Sequence, residues 1–397
     1  MGLRLPAFRL YLPGGGQGAA RSQSLAGRAD QDLGRECAPV LQPRLSGVAV
    51  PLFSPDALVS MTGALLEAVG TPVPIARRVA TAIINANLAG HDSHGIIRLP
   101  EYLDHVEKNQ IEVGNEPRIV RETPATAVLD GRKGWGHYTL DQAMDLAIAK
   151  SRATGIGAVA VFRCNHAGRM GEYVEAAARA GCLGMIFAGV GGRETGCASP
   201  FGGGGRYLGT NPIAIGAPSG GDAPFVLDFA TTAVARGKIK VAQSKGETVP
   251  PGWIRDARGA ESINPNDFFD GGSLSHFGGH KGYALSLATC LLGGLSGVFQ
   301  PDYARMGGMY VQAVDVQAFM SLDTYRQNVQ RFLDGMKTAP RADTGRAIMV
   351  PGEPEALHRQ RRLRDGIELP DSVWRQIRQA TAQRNIPVPD SIHIGTS

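Results

Sequence analysis

The stretch HDSHGIIRLPEY, residues 91–102, sets two histidines, an aspartate, an arginine and a tyrosine side by side. A histidine is the side chain best suited to take and return a proton near neutral pH. An arginine can hold a planar carboxylate through two parallel hydrogen bonds. His94 and Arg98, four residues apart, are therefore the tools required by a substrate with a hydroxyl or carbonyl beside a carboxylate. The same residue types also fit a passive arrangement, with His94 capping the preceding helix and Arg98 paired with Asp92 on the surface. His91 and His94 could in addition begin a metal site, but no further ligands stand at recognisable spacing, so no metal is expected.

Three other stretches carry chemistry. Asn165-His166-Ala167-Gly168 stands where a strand gives way to a helix, the place where open α/β sheets locate their sites. Gly168 would let a ligand approach the helix N-terminus, whose free N–H groups favour an anion such as a pyrophosphate; alternatively, His166 caps its own helix. The glycine-rich GGGGRYLGTNP and the following VLDFATT would let a flat cofactor lie against backbone, with the Asp228 carboxylate at a strand end in reach of ribose hydroxyls. In GGHKGYAL, Lys281 opens a helix and could meet a phosphate, or it is simply solvated.

These residues need a scaffold, and the pattern predicts one. Ser54-Pro55-Asp56 is a helix start, followed by Leu58, Met61, Leu65 and Val69 at helical spacing and by Gly70 as a stop. Pro74 begins a second helix with Ile75, Val79, Ile83 and Ala86 on one face and Gly90 as its stop. Pro100 and Glu101 open a third, which places residues 91–98 in a helix–helix connection. From about residue 125 strands alternate with helices: TAVLDG, LDQAMDLAIAKSRATG, GAVAVFRC, GRMGEYVEAAARAG, LGMIFAG. That β-α-β-α-β grammar predicts an α/β fold. Two more strands, IAIGA and FVLDFA, and a helix, KGYALSLATCLLGGLSG, follow before the chain turns helical again after residue 315.

Composition excludes several classes. The 397 residues are 43% apolar, ordinary for a globular protein, and no apolar run suits a membrane span. Six arginines and only three acids fall within residues 1–50, so most of the net charge of +5 sits there and nucleic-acid binding is not expected. Five cysteines without a C-x-x-C pair fit a reducing, cytoplasmic setting rather than a disulfide framework. Gly14, Gly16 and Ala19 match the dinucleotide fingerprint formally, but ARSQSLAGRAD lacks the apolar helix face that the fingerprint requires. Residues 1–50 read as a disordered extension or a mis-assigned start, with a transit peptide as the alternative.

Six ordered motifs carry a resemblance: DSHGIIRLPEYL, NHAGRMGEY, PFGG with LGTNPIAIGAP, VLDFATT, GGHKGYALSL and VPGEPE. Across residues 53–388 the sequence resembles the type-2 malate/L-lactate dehydrogenase family, which includes ureidoglycolate, sulfolactate and 2,3-diketo-L-gulonate enzymes. The resemblance implies a non-Rossmann, NAD- or NADP-binding α/β domain, residues 123–314. It implies that this domain is inserted in a mostly helical one built from residues 51–122 plus 315–390. It further implies a cleft between the domains, a homodimer, and reversible hydride transfer at C2 of a small 2-hydroxy/2-oxo acid. By the same resemblance His94 is the acid/base with Ser93 beside it, Arg98 the carboxylate holder, and His166 the histidine that some members use as proton acceptor. Asp228, Phe229, Ala230, Thr231, Thr232, Lys281, Gly282, Pro351, Gly352 and Glu353 match cofactor-contacting positions. Val190 stands where some members place a polar cofactor contact. A cyclic-imine reductase on the same fold, a metal-dependent hydrolase using His91 and His94, and a non-catalytic binding module are the alternatives.

Overall fold

The computed structural model describes residues 51–192, 196–297, 307–342 and 347–391. The expectation for residues 1–50 lies outside the described residues.

A short strand, β1 (Leu52–Phe53), leads into helices α1 (Pro55–Ala68) and α2 (Val73–Leu88). Proline in the first turn of each helix loses nothing, because that N–H has no intrahelical partner. Ser54 takes the extended cap conformation, but its hydroxyl makes no capping bond. Gly70 and Gly90 adopt the left-handed backbone that ends each helix. Two 3-10 turns, Asp92–His94 and Ile96–Arg98, then pass into α3 (Leu99–Glu107). Leu58, Leu65, Leu66, Ile75, Val79 and Ile83 are buried in one core, and burial of each such side chain contributes about 1.5–3 kcal/mol. Ile367, Leu369, Val373 and Ile377, more than 250 residues later, complete this core.

Next come β2 (Arg118–Glu122), β3 (Thr126–Asp130), α4 (Gly136–Thr154), β4 (Ile156–Phe162), α5 (Gly171–Arg179) and β5 (Cys182–Gly189). The antiparallel strands β6 (Ile213–Ala217) and β7 (Phe225–Phe229) follow. α6 (Arg236–Lys245), β8 (Ile254–Arg255), β9 (Glu261–Ser262), α7 (Pro265–Phe269) and β10 (Ser273–Leu274) form a small layer around Ile239, Ile254, Phe268 and Leu274. α8 (His280–Gly293) and β11 (Gly308–Asp315) return to the sheet. The chain closes with α9 (Leu322–Lys337), α10 (Glu353–Asp365), β12 (Ile367–Glu368) and α11 (Asp371–Ala382).

The central sheet runs β2-β3-β4-β11-β5-β6-β7, and only β3 and β4 pair in parallel. The fold is mixed α/β, as the alternating pattern predicts. The pattern does not anticipate β11, which lies antiparallel between β4 and β5 with Val311 and Ala313 fully buried. It also omits β2: all five residues of this edge strand are exposed, so no hydrophobic alternation marks it. The sheet therefore starts at residue 118 rather than 123. α9 adds no residue to the helical core that the first and last segments share.

α8 packs against the sheet in an unusual sense. Its buried residues are small (Gly282, Ser286, Thr289, Cys290, Gly293), while Leu287 and Leu291 face outward. The close approach explains the inversion: a Cβ at Gly189 would meet the Cys290 Cα at 2.5 Å, and one at Gly293 the Gly308 carbonyl at 2.4 Å. Larger residues on that face would push the helix off the sheet.

Candidate active site

Three segments distant in sequence converge: the turn after α2, the loop between β4 and α5, and the end of β7. The turn presents His94, whose Nδ1 lies 3.0 Å from the Ser93 hydroxyl. It does not cap α2, and Arg98 does not pair with Asp92; Asp92 pairs with Arg362, while Arg98 Nη1 meets Glu101 at 2.9 Å. Arg98 keeps its Nε buried without a hydrogen-bond partner. A buried donor left unpaired costs about 1–3 kcal/mol, more when charged, so this atom fits an anionic acceptor supplied by a ligand.

The loop after β4 supplies His166. Asn165 braces it by donating from its side-chain amide to the carbonyls of Lys133 (2.8 Å), Gly134 (3.0 Å) and Gln110 (3.2 Å). The ring of His166 stacks beside that of His94, with centroids 5.6 Å apart and planes 15° apart. Its Nδ1 lies 2.7 Å from the Tyr102 hydroxyl and accepts the Gly168 N–H at 3.4 Å. Tyr102 is buried, one helical turn beyond Arg98, and its ring is 6.0 Å from the Arg98 guanidinium carbon. Burial pushes its phenol pKa up, so it stays protonated. Tyr102 thus packs in the core and bonds His166 at the same time.

Sequence reasoning missed His137. It is buried beneath Tyr102 and His166, at ring distances of 5.4 and 6.5 Å, and neither ring nitrogen has a hydrogen-bond partner. Burial pushes its pKa down to about 3. Its one legible signal is its place at the start of α4, immediately after WG, where the chain must pass under the His166 loop.

Burial, then the positive charge of His91, Arg98 and Arg169, pushes His94 down to about 4, while Asp228 opposes that shift. Burial holds His166 well below the ordinary range, with Arg98, His94 and His137 adding to it. His166 as a residue nevertheless keeps solvent-accessible surface. Both rings are neutral at neutral pH, and the Arg98 guanidinium stands close enough to depress both, which suits an anionic substrate.

Asp228 has a different first task from the one its strand-end position suggests. Its Oδ2 accepts the Gly171 N–H at 2.7 Å, so it occupies the N-terminus of α5 where an anionic ligand was expected. Several other expected cofactor positions are likewise engaged within the protein. The Thr231 and Thr232 hydroxyls donate to the carbonyls of Thr210 and Val234. Glu353 pairs with Lys337 and accepts the Val350 N–H. Gly282 and Gly352 pack too tightly for a Cβ, against Phe277 and Pro224 backbone respectively. The Pro351 carbonyl accepts the Val226 N–H of β7 at 3.3 Å. Phe229, Ala230 and Lys281 remain open or partly open to solvent, and Phe277 packs its ring 5.4 Å from that of Phe229. Arg206, in the glycine-rich loop, donates to the Gly272 and Phe268 carbonyls. Among the described residues no group of three or more His, Cys, Asp or Glu could hold a metal, and His91 is bound to Glu355 at 3.1 Å.

The profile described as malate/L-lactate dehydrogenase matches residues 53–378. The chain belongs to the malate/L-lactate dehydrogenase family. Malate dehydrogenase of Pyrococcus abyssi is 35% identical over 339 residues, covering 82% of this chain and 92% of that relative. The crystal structure of malate dehydrogenase from Entamoeba histolytica superposes with a TM-score of 0.81 at 28% identity, over 86% of this chain and all of that one. Δ1-Piperideine-2-carboxylate reductase from Pseudomonas syringae is also similar in structure, with a TM-score of 0.73 at 26% identity, over 83% of this chain and 99% of that one. This malate/L-lactate dehydrogenase family member is thus an oxidoreductase by descent, and no described helix is long and apolar enough to cross a membrane.

Proposed function

We propose that the chain is a nicotinamide-dependent enzyme that interconverts a small 2-hydroxy acid and its 2-oxo acid. The observation that carries the reading is the Arg98 Nε, buried without a partner beside two neutral imidazoles. Arg98 holds the substrate carboxylate, which places the C2 oxygen between His94 and His166. Positioning of this kind contributes several kcal/mol, about 7–11 at its limit.

A bound nicotinamide, NAD or NADP, would supply the hydride acceptor in oxidation and the donor in reduction. Exposed Phe229 at the end of β7, the half-buried Ala230 after it and exposed Lys281 at the start of α8 are the residues best placed to hold it; the engaged hydroxyls and carboxylates would contribute through backbone. As hydride leaves C2, the hydroxyl proton passes to His94. The Ser93 hydroxyl, accepting from Nδ1–H, would fix the tautomer that leaves Nε2 free as the base. His166 has the opposite polarity: its Nδ1 accepts from Gly168, so its Nε2 carries the proton and donates to the C2 oxygen. Asp228 stabilises the imidazolium that forms at His94. In reduction, protonated His94 returns the proton.

The experiment is steady-state kinetics of His94→Asn and His166→Asn with saturating cofactor and 2-oxo acid. The reading expects the first to lose about 10²–10⁴-fold in kcat and the second less. Near-normal turnover by His94→Asn would overturn the assignment. A second reading, reduction of a cyclic imine bearing a carboxylate, is supported by the likeness to the piperideine carboxylate reductase and would use the same arginine. Activity on an unsaturated cyclic amino acid, with none on 2-oxo acids, would select it.

We also propose that the helical core and the sheet act as two domains with the ligand between them, and that two copies associate through α8. The outward Leu287 and Leu291, with Leu295 beyond them, support the association.

A further inference from the structure

The turn that carries His94 is fixed at both ends by one buried amide. Asn87, in the last turn of α2, donates to Asp92 Oδ1 at 2.6 Å and accepts the Ile96 N–H at 2.8 Å. It thereby grips the residue two before His94 and the residue two after. Gly95 is pressed against it: a Cβ there would lie 2.2 Å from the Asn87 Oδ1.

A second grip comes from α10, 270 residues away in sequence. Arg362 holds both Asp92 oxygens in a fork, Nη1 to Oδ1 at 2.6 Å and Nη2 to Oδ2 at 2.9 Å, and also donates to the Asn87 carbonyl. Glu355 meets His91 at 3.1 Å, and Arg359 donates to the Asn85 side chain at 3.2 Å. α10 buries no side chain fully, so its hold on the turn is polar rather than apolar. A fork of this kind defines orientation as well as distance.

We propose that Arg362, acting through Asp92 and Asn87, is a positioning residue that sets the place and exposure of His94. Nothing about the family membership assigns it this part. The proposal rests on the reading of His94 as the acid/base. Without Arg362 the Asp92 carboxylate retains only Asn87, the turn gains freedom to slide toward solvent, and His94 moves from its proton-transfer position. Displacements of about 1 Å at such a distance cost about 10²-fold in rate.

The test uses the full chain with Arg362→Met, Arg362→Lys, Asp92→Asn and the double variant Asp92→Asn/Arg362→Met. Two quantities are read: kcat at saturation, and the titration of the His94 ring by NMR, assigned with His94→Asn. We expect Arg362→Met and Asp92→Asn each to lower kcat about tenfold or more, with the cofactor KM within about twofold. The double variant should be no worse than the poorer single, because both break one grip. Arg362→Lys should recover only part, since an ammonium cannot make the fork. The His94 midpoint should rise by about one pH unit or more from its depressed value, as the ring gains water. Unchanged kcat and titration with only a lower Tm, or multiplying single effects, would overturn the proposal. Asp92→Asn is isosteric and keeps a bond to Asn87, so it decides the matter even if Arg362→Met does not fold. A parent enzyme inactive on every 2-oxo acid would refute the proposed function, while the NMR titration would still decide the grip.

Discussion

Replacing His137 by Asn should make the protein more resistant to mild acid. His137 is 1% exposed, neither ring nitrogen is hydrogen-bonded, and burial lowers its pKa from 6.5 to about 3. The folded state therefore admits only the neutral ring, whereas the unfolded chain protonates it below pH 6.5. Stability is intact above that value and falls by about 1.4 kcal/mol per pH unit as the pH drops toward 3. Between pH 7 and pH 5 this one ring removes about 2 kcal/mol, a large part of a typical reserve of roughly 5–15 kcal/mol. Asn has a similar reach and does not titrate. Urea unfolding of parent and His137→Asn at both pH values gives four free energies. The parent's loss between pH 7 and pH 5 should exceed the variant's by about 2 kcal/mol. Any packing cost of the substitution, and the titration of His94 and His166, enter both members of each pair and cancel. Equal losses in the two proteins would refute the claim that His137 is a buried neutral ring.

Three further outcomes follow from the same geometry. Arg98→Lys should lower kcat/KM for a 2-oxo acid about 10–100-fold, chiefly by weaker substrate binding, because lysine cannot present two parallel donors; steady-state kinetics checks this. Asp228→Asn should lower stability by about 1 kcal/mol by weakening the charged bond to the N-terminus of α5. It should also move the acidic limb of the rate profile to still lower pH, because the one group that opposes the downward shift of His94 is gone. On the proposed pairing of two copies through α8, Leu291→Asp should shift the sedimentation of the protein toward monomer without loss of helicity; an unchanged profile would refute that pairing.

What could be read from the sequence were the elements whose physics is local. Pro55 and Pro74 near helix starts, Gly70 and Gly90 at their ends, and apolar residues at helical spacing between them mark α1 and α2 without any tertiary information. The alternation of strand and helix likewise carries the mixed α/β class. Long-range and polar determinants were not legible. β11 enters between β4 and β5 from a segment more than 100 residues beyond either, and nothing in GMYVQAVD names its neighbours. α10 shows no apolar face because its grip is made by Glu355, Arg359 and Arg362 on residues 85–92. α8 misleads for the opposite reason: its small residues face the sheet and its leucines do not.

The candidate site divides the same way. His94, Arg98 and His166 stand out by residue type and spacing. The Tyr102 bond to His166 and the His137 ring beneath them depend on how the β4–α5 loop folds over α3 and α4. Asp228 was recognisable as a strand-end carboxylate, but its bond to the Gly171 N–H requires α5 to be docked on the sheet. Thr231, Thr232 and Glu353 illustrate the limit of a motif: the residue is present, while its polar atoms are bound within the protein.

The central claim is hydride transfer between a nicotinamide and C2 of a 2-oxo acid held by Arg98. The most direct measurement mixes the purified protein with NADH and, separately, NADPH, and follows loss of nicotinamide absorbance over a panel of 2-oxo acids and one cyclic imino acid. The account predicts turnover with at least one 2-oxo acid, its collapse in His94→Asn and a higher KM for the acid in Arg98→Lys. No turnover with any 2-oxo acid, together with no change in nicotinamide fluorescence on mixing, would contradict it.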